Sequence, residues 1–586
     1  MSGRHSTKGW RRHQRLGFCD ISDPVGDLLS QQLGLDLPDD LDAATLDRVL
    51  VITSHRTSDV AAAVRRWSPQ THIHVVTSEA DEAASATPLP PGTSLDVCLL
   101  PDDLRVVLAS GVAPQLVVDV AGGPRATICE RFQRMFLAVA PGGWWVVAPR
   151  PDTRRAAGAR AVAELADTIR RGADAGREGG QMPRAIGTLL RGSRTVAVHK
   201  QGSHVVKLRE QDVEPVAARR GWDVRTLRTL PASVQPSRAT LSTNRRERAE
   251  RLFTRFDVPP LHLREQRHVV CAPLQLTMAD WVVLPSSFHH PSATRTRSRA
   301  LTGSGQWFTG EPSWSRPSGR LDGPFFHLDS EFPRHFGHLL TEDVAKLWGW
   351  DEAKQRHPDL RVLRSSGDHG HFAPWELELL GGYGIGEDEV VDLREPVIVD
   401  LLVTASQQFH NGKVRYAHGD LATVWARLRD GIRSGTVSSH ERVFITRSAA
   451  KRSCRNRAAV EALFAARGFH VVHPETMALA DQVELFAGAT VVAGFGGSGM
   501  FGTIFSPPGT RIVLTSEEYK ASNEYLIASV TGGDYHHFDC PIGAQLPDVP
   551  NARSLFHRNF AFDFTRDEPA LDRVLDALDE GTMTTP

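Results

Sequence analysis

Short apolar runs alternate with helical periodicities along two stretches of the chain, and this alternation organises the rest. Between 443 and 516 the runs at 443–445, 470–472, 490–493 and 511–514 read as strands, separated by amphipathic patterns at 456–467 and 479–487. Such alternation is the mark of βαβ units wound around a parallel sheet. A second array occupies 46–150, with strands expected at 49–53, 72–77, 95–100, 115–120 and 144–148 and helices at 58–67 and 127–139. From 252 to 435 the signal is mixed. Strand-like runs at 269–276, 281–284, 361–364, 390–391 and 397–404 surround a helical pattern near 335–350, and a helix is expected at 421–433. Past 514, helices are expected at 519–529 and 568–578 and a strand at 535–540. Between the arrays, 194–199 and 204–209 look like a hairpin, and 238–251 reads as a basic linker with solvated charges.

In a parallel sheet, ligands bind beyond the carboxyl ends of the strands. Two of those ends carry unusual chemistry. The run ending at Ile445 leads into Thr446, Arg447, Lys451, Arg452, Arg455 and Asn456, a group of cationic and amide donors that opens a helix. The run ending at Ala493 leads into Gly494, Gly496, Gly497, Ser498 and Gly499, where the backbone can approach a ligand closely and offer its N–H groups. Either feature alone is equally well a solvated arginine face or a tight turn; together they describe a pocket for a phosphorylated ligand. The glycines are not a phosphate loop, since no Lys-Ser or Lys-Thr follows, nor a GxGxxG opening the first strand of a unit. Upstream, His338 and Glu342 are spaced to share a helix face, with Leu339, Leu340, Val344 and Leu347 turned to the core. His338, Glu342 or Asp343 could take a proton from a hydroxyl. His335 and His338 lack a third ligand, so no metal is expected.

These marks, in this order, resemble the family-61 glycosyltransferases over about 250–545. The segment His335-Phe-Gly-His338-Leu-Leu-Thr-Glu342-Asp343 comes first, then Thr446-Arg447 with its basic residues and Asn456. Pro474-Glu475 follows, then Gln482, Val483, Leu485 and Phe486, and last a turn usually written GxHGAGLxN that aligns with 494–502. The chain departs from that pattern where the family's His and Asn fall on Gly496 and Gly502, and where an acidic residue expected near Thr515 is replaced by Glu517 two positions on. The resemblance implies an α/β, GT-B-like pair of Rossmann-like lobes and metal-independent, inverting transfer from a nucleotide sugar, a UDP-sugar being the expected donor. It implies donor binding by Thr446, Arg447, Lys451, Arg452, Asn456, Glu475, Gly496, Gly497, Ser498 and Gly499, and a base among His338, Glu342 and Asp343. Trp307 and Trp314, in the polar stretch 288–320, could stack on sugar rings or anchor packing. The alternatives are a non-catalytic glycan-binding or assembly protein and a methyltransferase–glycosyltransferase fusion.

The first array looks like the later half of a class I methyltransferase, a third Rossmann-like domain. Asp119 ends one strand, and Pro141, Gly142 and Gly143 turn into the next. Its first strand runs into Thr53-Ser54-His55-Arg56 without glycines, so this domain is expected to have lost S-adenosylmethionine binding. The expected division is an extended arm at 1–40, this domain at 41–235, a linker at 236–251, an acceptor lobe at 252–435 and a donor lobe at 436–586.

Composition narrows the class further. A length of 586 residues allows about three domains, and a net charge of −1 argues against bulk nucleic-acid binding. Six scattered cysteines without CxxC spacing suit a reduced, cytoplasmic setting. No run of about 18 apolar residues suggests a membrane span. The basic arm, with Arg4, Lys8, Arg11, Arg12 and Arg15, leaves peripheral contact with a membrane open. The expected partners are a nucleotide sugar and a glycan or glycolipid acceptor, with no cofactor required.

Overall fold

The computed structural model describes residues 41, 43–54, 57–77, 88–98, 101–148, 157–170, 181–192, 195–250, 252–310, 317–412, 414–435, 440–448, 452–542 and 558–581. The expected arm at 1–40, His55, Arg56, Trp314 and Lys451 lie outside them. The chain divides into two compact units, one formed by 1–206 with 307–309 and the other by 207–306 with 310–586.

The first unit is built on strands β1 (Arg48–Thr53), β2 (His72–Thr77), β3 (Thr93–Val97), β4 (Leu116–Asp119), β5 (Trp144–Val147), β6 (Ile186–Arg191) and β7 (Val196–Lys200). Their order in the sheet is β3-β2-β1-β4-β5-β7-β6. The first five strands are parallel, whereas β7 runs antiparallel to β5 and β6. β4 and β5 are buried throughout, as strands covered by helices on both faces must be. This is the doubly wound arrangement that the methyltransferase resemblance implies. The hairpin expected between 194–199 and 204–209 does not form, because β7 is taken up by β5 and β6. His204–Lys207 pairs instead with Trp307–Gly310. Trp307 is completely buried there, its Nε1 donating to Arg134 O at 3.2 Å, so it anchors packing.

Among its described residues the second unit carries two large sheets and two two-stranded ones, Ser233–Pro236 with Arg255–Val258 and Phe409–Asn411 with Arg415–Ala417. One large sheet has six strands, all parallel, in the order Ala239–Thr243, Gly533–Cys540, Thr510–Ser516, Val491–Phe495, Arg442–Ile445, His470–Val472. Counting from Arg442–Ile445, five of these follow the 2-1-3-4-5 order, whose switch point lies between the first and third strands. That point falls between Arg442–Ile445 and Val491–Phe495, where Ile445 pairs with Gly494. The sixth strand is a correction to the reading of 236–251 as a linker. Ala239–Thr243 extends the sheet, and Arg248 beyond it is buried rather than solvated, paired through Nε with both carboxylate oxygens of Asp539 at 3.1 Å.

The other large sheet is mixed. Val397–Ala405, Gly319–His327, Arg361–Arg364 and Val390–Asp392 lie side by side and parallel. Leu261–Ala272 adds an antiparallel flank against Val397–Ala405, and Val224–Leu230 pairs along Leu261–Ala272. That second pairing draws 207–235 into this unit, ahead of the boundary expected near 235. A continuous core runs through both lobes, from Leu339, Leu340, Val344 and Leu347 to Val443, Phe486, Val492 and Tyr525. Among the described residues no helix is long and apolar enough to cross a membrane.

Candidate active site

A cavity of about 750 Å³ opens at the switch point of the parallel sheet. The second lobe lines it with Thr446, Arg447, Ser448, Glu475, Gln482 and the backbone of Gly497, Ser498 and Gly499. The first lobe contributes Arg334, Phe336, Trp375 and Glu378, with the Phe336 and Trp375 rings edge-to-face at 5.4 Å. Arg447 and the glycine turn therefore share one cleft. They also touch: Arg447 Nη1 donates to Gly496 O at 3.3 Å. Burial, and then the nearby Arg452, lower the Arg447 pKa. A cation held under that repulsion gains when an anion enters.

The turn owes its shape to the absence of side chains. Gly497 has φ 140°, and a Cβ there would sit 3.0 Å from Arg447 Nη1. A Cβ on Gly496 would lie 2.4 Å from Thr515 Cγ2, and one on Gly502 would lie 2.1 Å from Phe486 Cε2. The two departures from the family's turn are thus built into this packing. Not all of the turn's amides are available. Gly496 N donates to Leu514 O at 2.9 Å, and Gly497 N to Glu524 Oε1 at 2.7 Å. Ser498 and Gly499 remain, opening the helical turn Ser498–Phe505, where the first N–H groups have no acceptor within the helix.

Glu524 was not singled out by any sequence pattern. It is buried beneath the turn, accepts from Tyr519 Oη at 2.9 Å as well, and its Oε2 has no hydrogen-bond partner. Burial raises its pKa, against the pull of its donors and Arg452. Glu517, the acidic residue nearer the family position, pairs with Arg245 at 2.7 Å instead.

Several expected donor contacts are committed elsewhere. The Thr446 hydroxyl donates to Glu461. Asn456 donates to Phe562 O at 2.8 Å and accepts from Phe562 N at 3.0 Å, which pins the carboxy-terminal segment rather than a ligand. Glu475 accepts from Ser448 N at 3.0 Å and Ser448 Oγ at 2.8 Å; burial would raise its pKa, but these bonds hold it low. Glu475 thus orders the loop that presents Arg447. Arg452 takes a left-handed backbone, φ 57°, and its guanidinium lies 5.7 Å from the Tyr519 ring centre.

Across the cleft, the helical segment begins with the short turn Phe336–His338 and continues as a π-helix, Leu339–Asp343. His338 Nδ1 and Glu342 Oε2 are 2.7 Å apart, the pairing their spacing predicts. Burial would raise Glu342, yet the bond to His338 and nearby cations keep its pKa below the ordinary value. Phe332 stacks on His338 at 3.8 Å and fixes the ring plane. A Cβ on Gly337 would lie 3.1 Å from Ser498 Cβ and 2.8 Å from Phe501 Cε2, so this segment rests directly on the glycine turn. Asp343 has a different fate. It is buried against Arg364 at 3.0 Å, and Arg364 also binds Glu376, so its carboxylate serves the core and not a substrate. Among the described residues no group of three His, Cys, Asp or Glu could hold a metal ion.

The cleft thus lies at a switch point with Arg447 on one wall, and the segment bearing the His338–Glu342 pair packs against its glycine turn. Residues 336–513, which build most of it, match the family model "Glycosyltransferase 61". No curated protein matches the chain. The amino-terminal region has structural neighbours that are methyltransferases. The MycE methyltransferase of the mycinamycin biosynthetic pathway, in complex with Mg and SAH, is 14% identical with a TM-score of 0.24, and 30% of this chain covers 54% of that one. Aeropyrum pernix fibrillarin with natively bound S-adenosyl-L-methionine is 11% identical with a TM-score of 0.21, 29% of this chain covering 73% of that one. The chain thus spans about half the length of the first.

Proposed function

We propose that the second unit is a metal-independent, inverting glycosyltransferase that moves a sugar from a nucleotide sugar, a UDP-sugar first among candidates, to a hydroxyl of a glycan acceptor, in a GT-B-like cleft. The observation that carries this reading is the shared cavity of Arg447 and the Ser498–Gly499 amides at the switch point. The donor's diphosphate sits between them, with Arg452 adding charge. His338 Nδ1–H donates to Glu342, which leaves Nε2 as the basic nitrogen. As the acceptor oxygen bonds to the anomeric carbon, the bond from that carbon to the phosphate oxygen breaks. The acceptor's proton passes to His338 Nε2, and the nucleoside diphosphate leaves with the electron pair, stabilised by Arg447.

Arg447→Ala is expected to lower turnover by about two orders of magnitude and to weaken UDP binding in calorimetric titration. Wild-type kinetics in that variant would refute the assignment.

In the first unit, Ser54 Oγ donates to Ala121 O at 2.8 Å across the switch point, and Arg131 occupies the Asp119 carboxylate through two hydrogen bonds, at 3.1 and 2.9 Å. Both support a domain that does not take up S-adenosylmethionine. Micromolar binding in a titration would overturn this. Polysaccharide biosynthesis, a cytoplasmic site and contact with a membrane surface belong to the same proposal.

A further inference from the structure

The mixed sheet of the second unit has a switch point of its own. Gly319–His327 and Val397–Ala405 lie side by side, yet the chain between them winds outward through Arg361–Arg364 and Val390–Asp392 before returning. Beyond their carboxyl ends opens a cavity of about 570 Å³, lined by His327, Thr404, Ala405, Ser406 and Gln407 from the strand ends. Ligands of parallel sheets bind at such a place.

The lining has two parts. The rim is apolar, with Val258, Pro259, Pro260, Pro285, Phe288 and Pro291. The floor is polar and unsatisfied: His327 Nε2, His290 Nε2 and both side-chain polar atoms of Gln407 are buried without a hydrogen-bond partner. These three residues are more than nine-tenths buried. Empty cavities are apolar, whereas a floor of unpaired donors and acceptors takes up water or the polar groups of a ligand. Of the charged groups around the space, Asp257 stands at the exposed edge and the others are engaged. Glu210 pairs with Arg264, Glu331 lies 3.0 Å from His289 Nδ1, and Lys346 Nζ donates to Asp329 O at 2.8 Å. What the floor offers is neutral hydrogen bonding.

One aromatic ring, Phe332, stands between the cavity wall and the proposed base. His289, on that wall, lies with its ring centre 6.2 Å from Phe332, the ring that stacks on His338.

We propose that this cavity is the acceptor subsite, taking a neutral hydroxylated head against His327, His290 and Gln407 and an apolar body along the proline-rich rim. As an acceptor subsite it rests on the glycosyl-transfer reading; as a site for a neutral amphiphile it stands on the cavity alone. The test titrates the full chain with n-octyl β-D-glucoside, below its micelle concentration, and with methyl β-D-glucoside, while UDP binding is measured in parallel. Octyl glucoside is expected to bind at least tenfold more tightly than methyl glucoside. Gln407→Leu on the floor and Pro260→Asp on the exposed rim should each weaken it fivefold or more, with UDP affinity and melting temperature retained. Equal affinity for the two glucosides, no binding of either, or an octyl affinity that neither variant changes would overturn the proposal. Loss of UDP binding alone, with octyl glucoside still bound, would count against the transfer reading and leave the amphiphile site standing.

Discussion

Gly496 and Gly502 stand where the glycosyltransferase pattern has side chains, and the packing around them explains why none could be restored singly. A side chain at Gly502 meets the Phe486 ring at 2.1 Å. Gly502→Asn is therefore expected to cost about 1–3 kcal/mol of stability, read as a lower urea midpoint. The carboxylate under the turn is that of Glu524, 27 residues beyond the Gly497 amide that it accepts from. Glu524→Ala leaves that amide without its partner, so stability should fall by about 1–3 kcal/mol and UDP affinity with it. Unchanged UDP affinity would mean that the turn holds its shape without the carboxylate. No periodicity links positions 497 and 524, which is why this residue was illegible in the sequence. His338 and Glu342, by contrast, were legible because helical spacing alone brings them together.

At the level of elements, the parallel sheet was legible almost strand by strand. Its apolar runs are short, β-branched and bounded by helical patterns, as at Arg442–Ile445 and Val491–Phe495. The sixth strand was not, because beyond the buried Ala239 the run Ala239–Thr243 alternates between exposed and half-buried positions and lies among arginines. Only its partner, Gly533–Cys540, makes it a strand. Arg248 is the test of that docking. Arg248→Met leaves Asp539 buried with only His537 beside its carboxylate, at 3.6 Å, and should cost about 3–5 kcal/mol, whereas Arg248→Met with Asp539→Leu should recover most of it. Equal destabilisation in both, by chemical denaturation, would show that packing rather than charge holds the element. The methyltransferase-like order of the first unit was partly legible; its hairpin was misread because pairing partners are chosen by the sheet and not by proximity in the chain.

At the scale of the whole molecule, buried histidines set the acid limit. Burial lowers His290 to about 4 and His410 to about 2, with neighbouring histidines adding to the effect, and it lowers His327 well below its ordinary range. In the unfolded chain these rings take up protons near pH 6.5. Below that value the unfolded state binds more protons, so stability is full above about pH 6.5 and drains away toward pH 4. Each histidine contributes up to about 1.4 kcal/mol per pH unit in that window. His289 runs the other way: burial would lower it, but Glu331 and Glu342 raise it. Urea midpoints should therefore drop between pH 7 and pH 5.5, and a flat profile would show that the rings are hydrated. Fold class and the meeting of Arg447 with the glycine turn in one cleft were readable from local pattern, whereas the second cavity was not, since its lining converges from positions as far apart as Val258 and Gln407.

The strand borrowed from 239–243 also constrains how the protein can be made. During synthesis it must wait for nearly three hundred further residues to emerge before Gly533–Cys540 exists to receive it. An expression fragment beginning near 436 would leave the flank of Gly533–Cys540 bare, an invitation to pair with another chain. Such a fragment should come out of the cell as aggregate, while one beginning ahead of 207 should not.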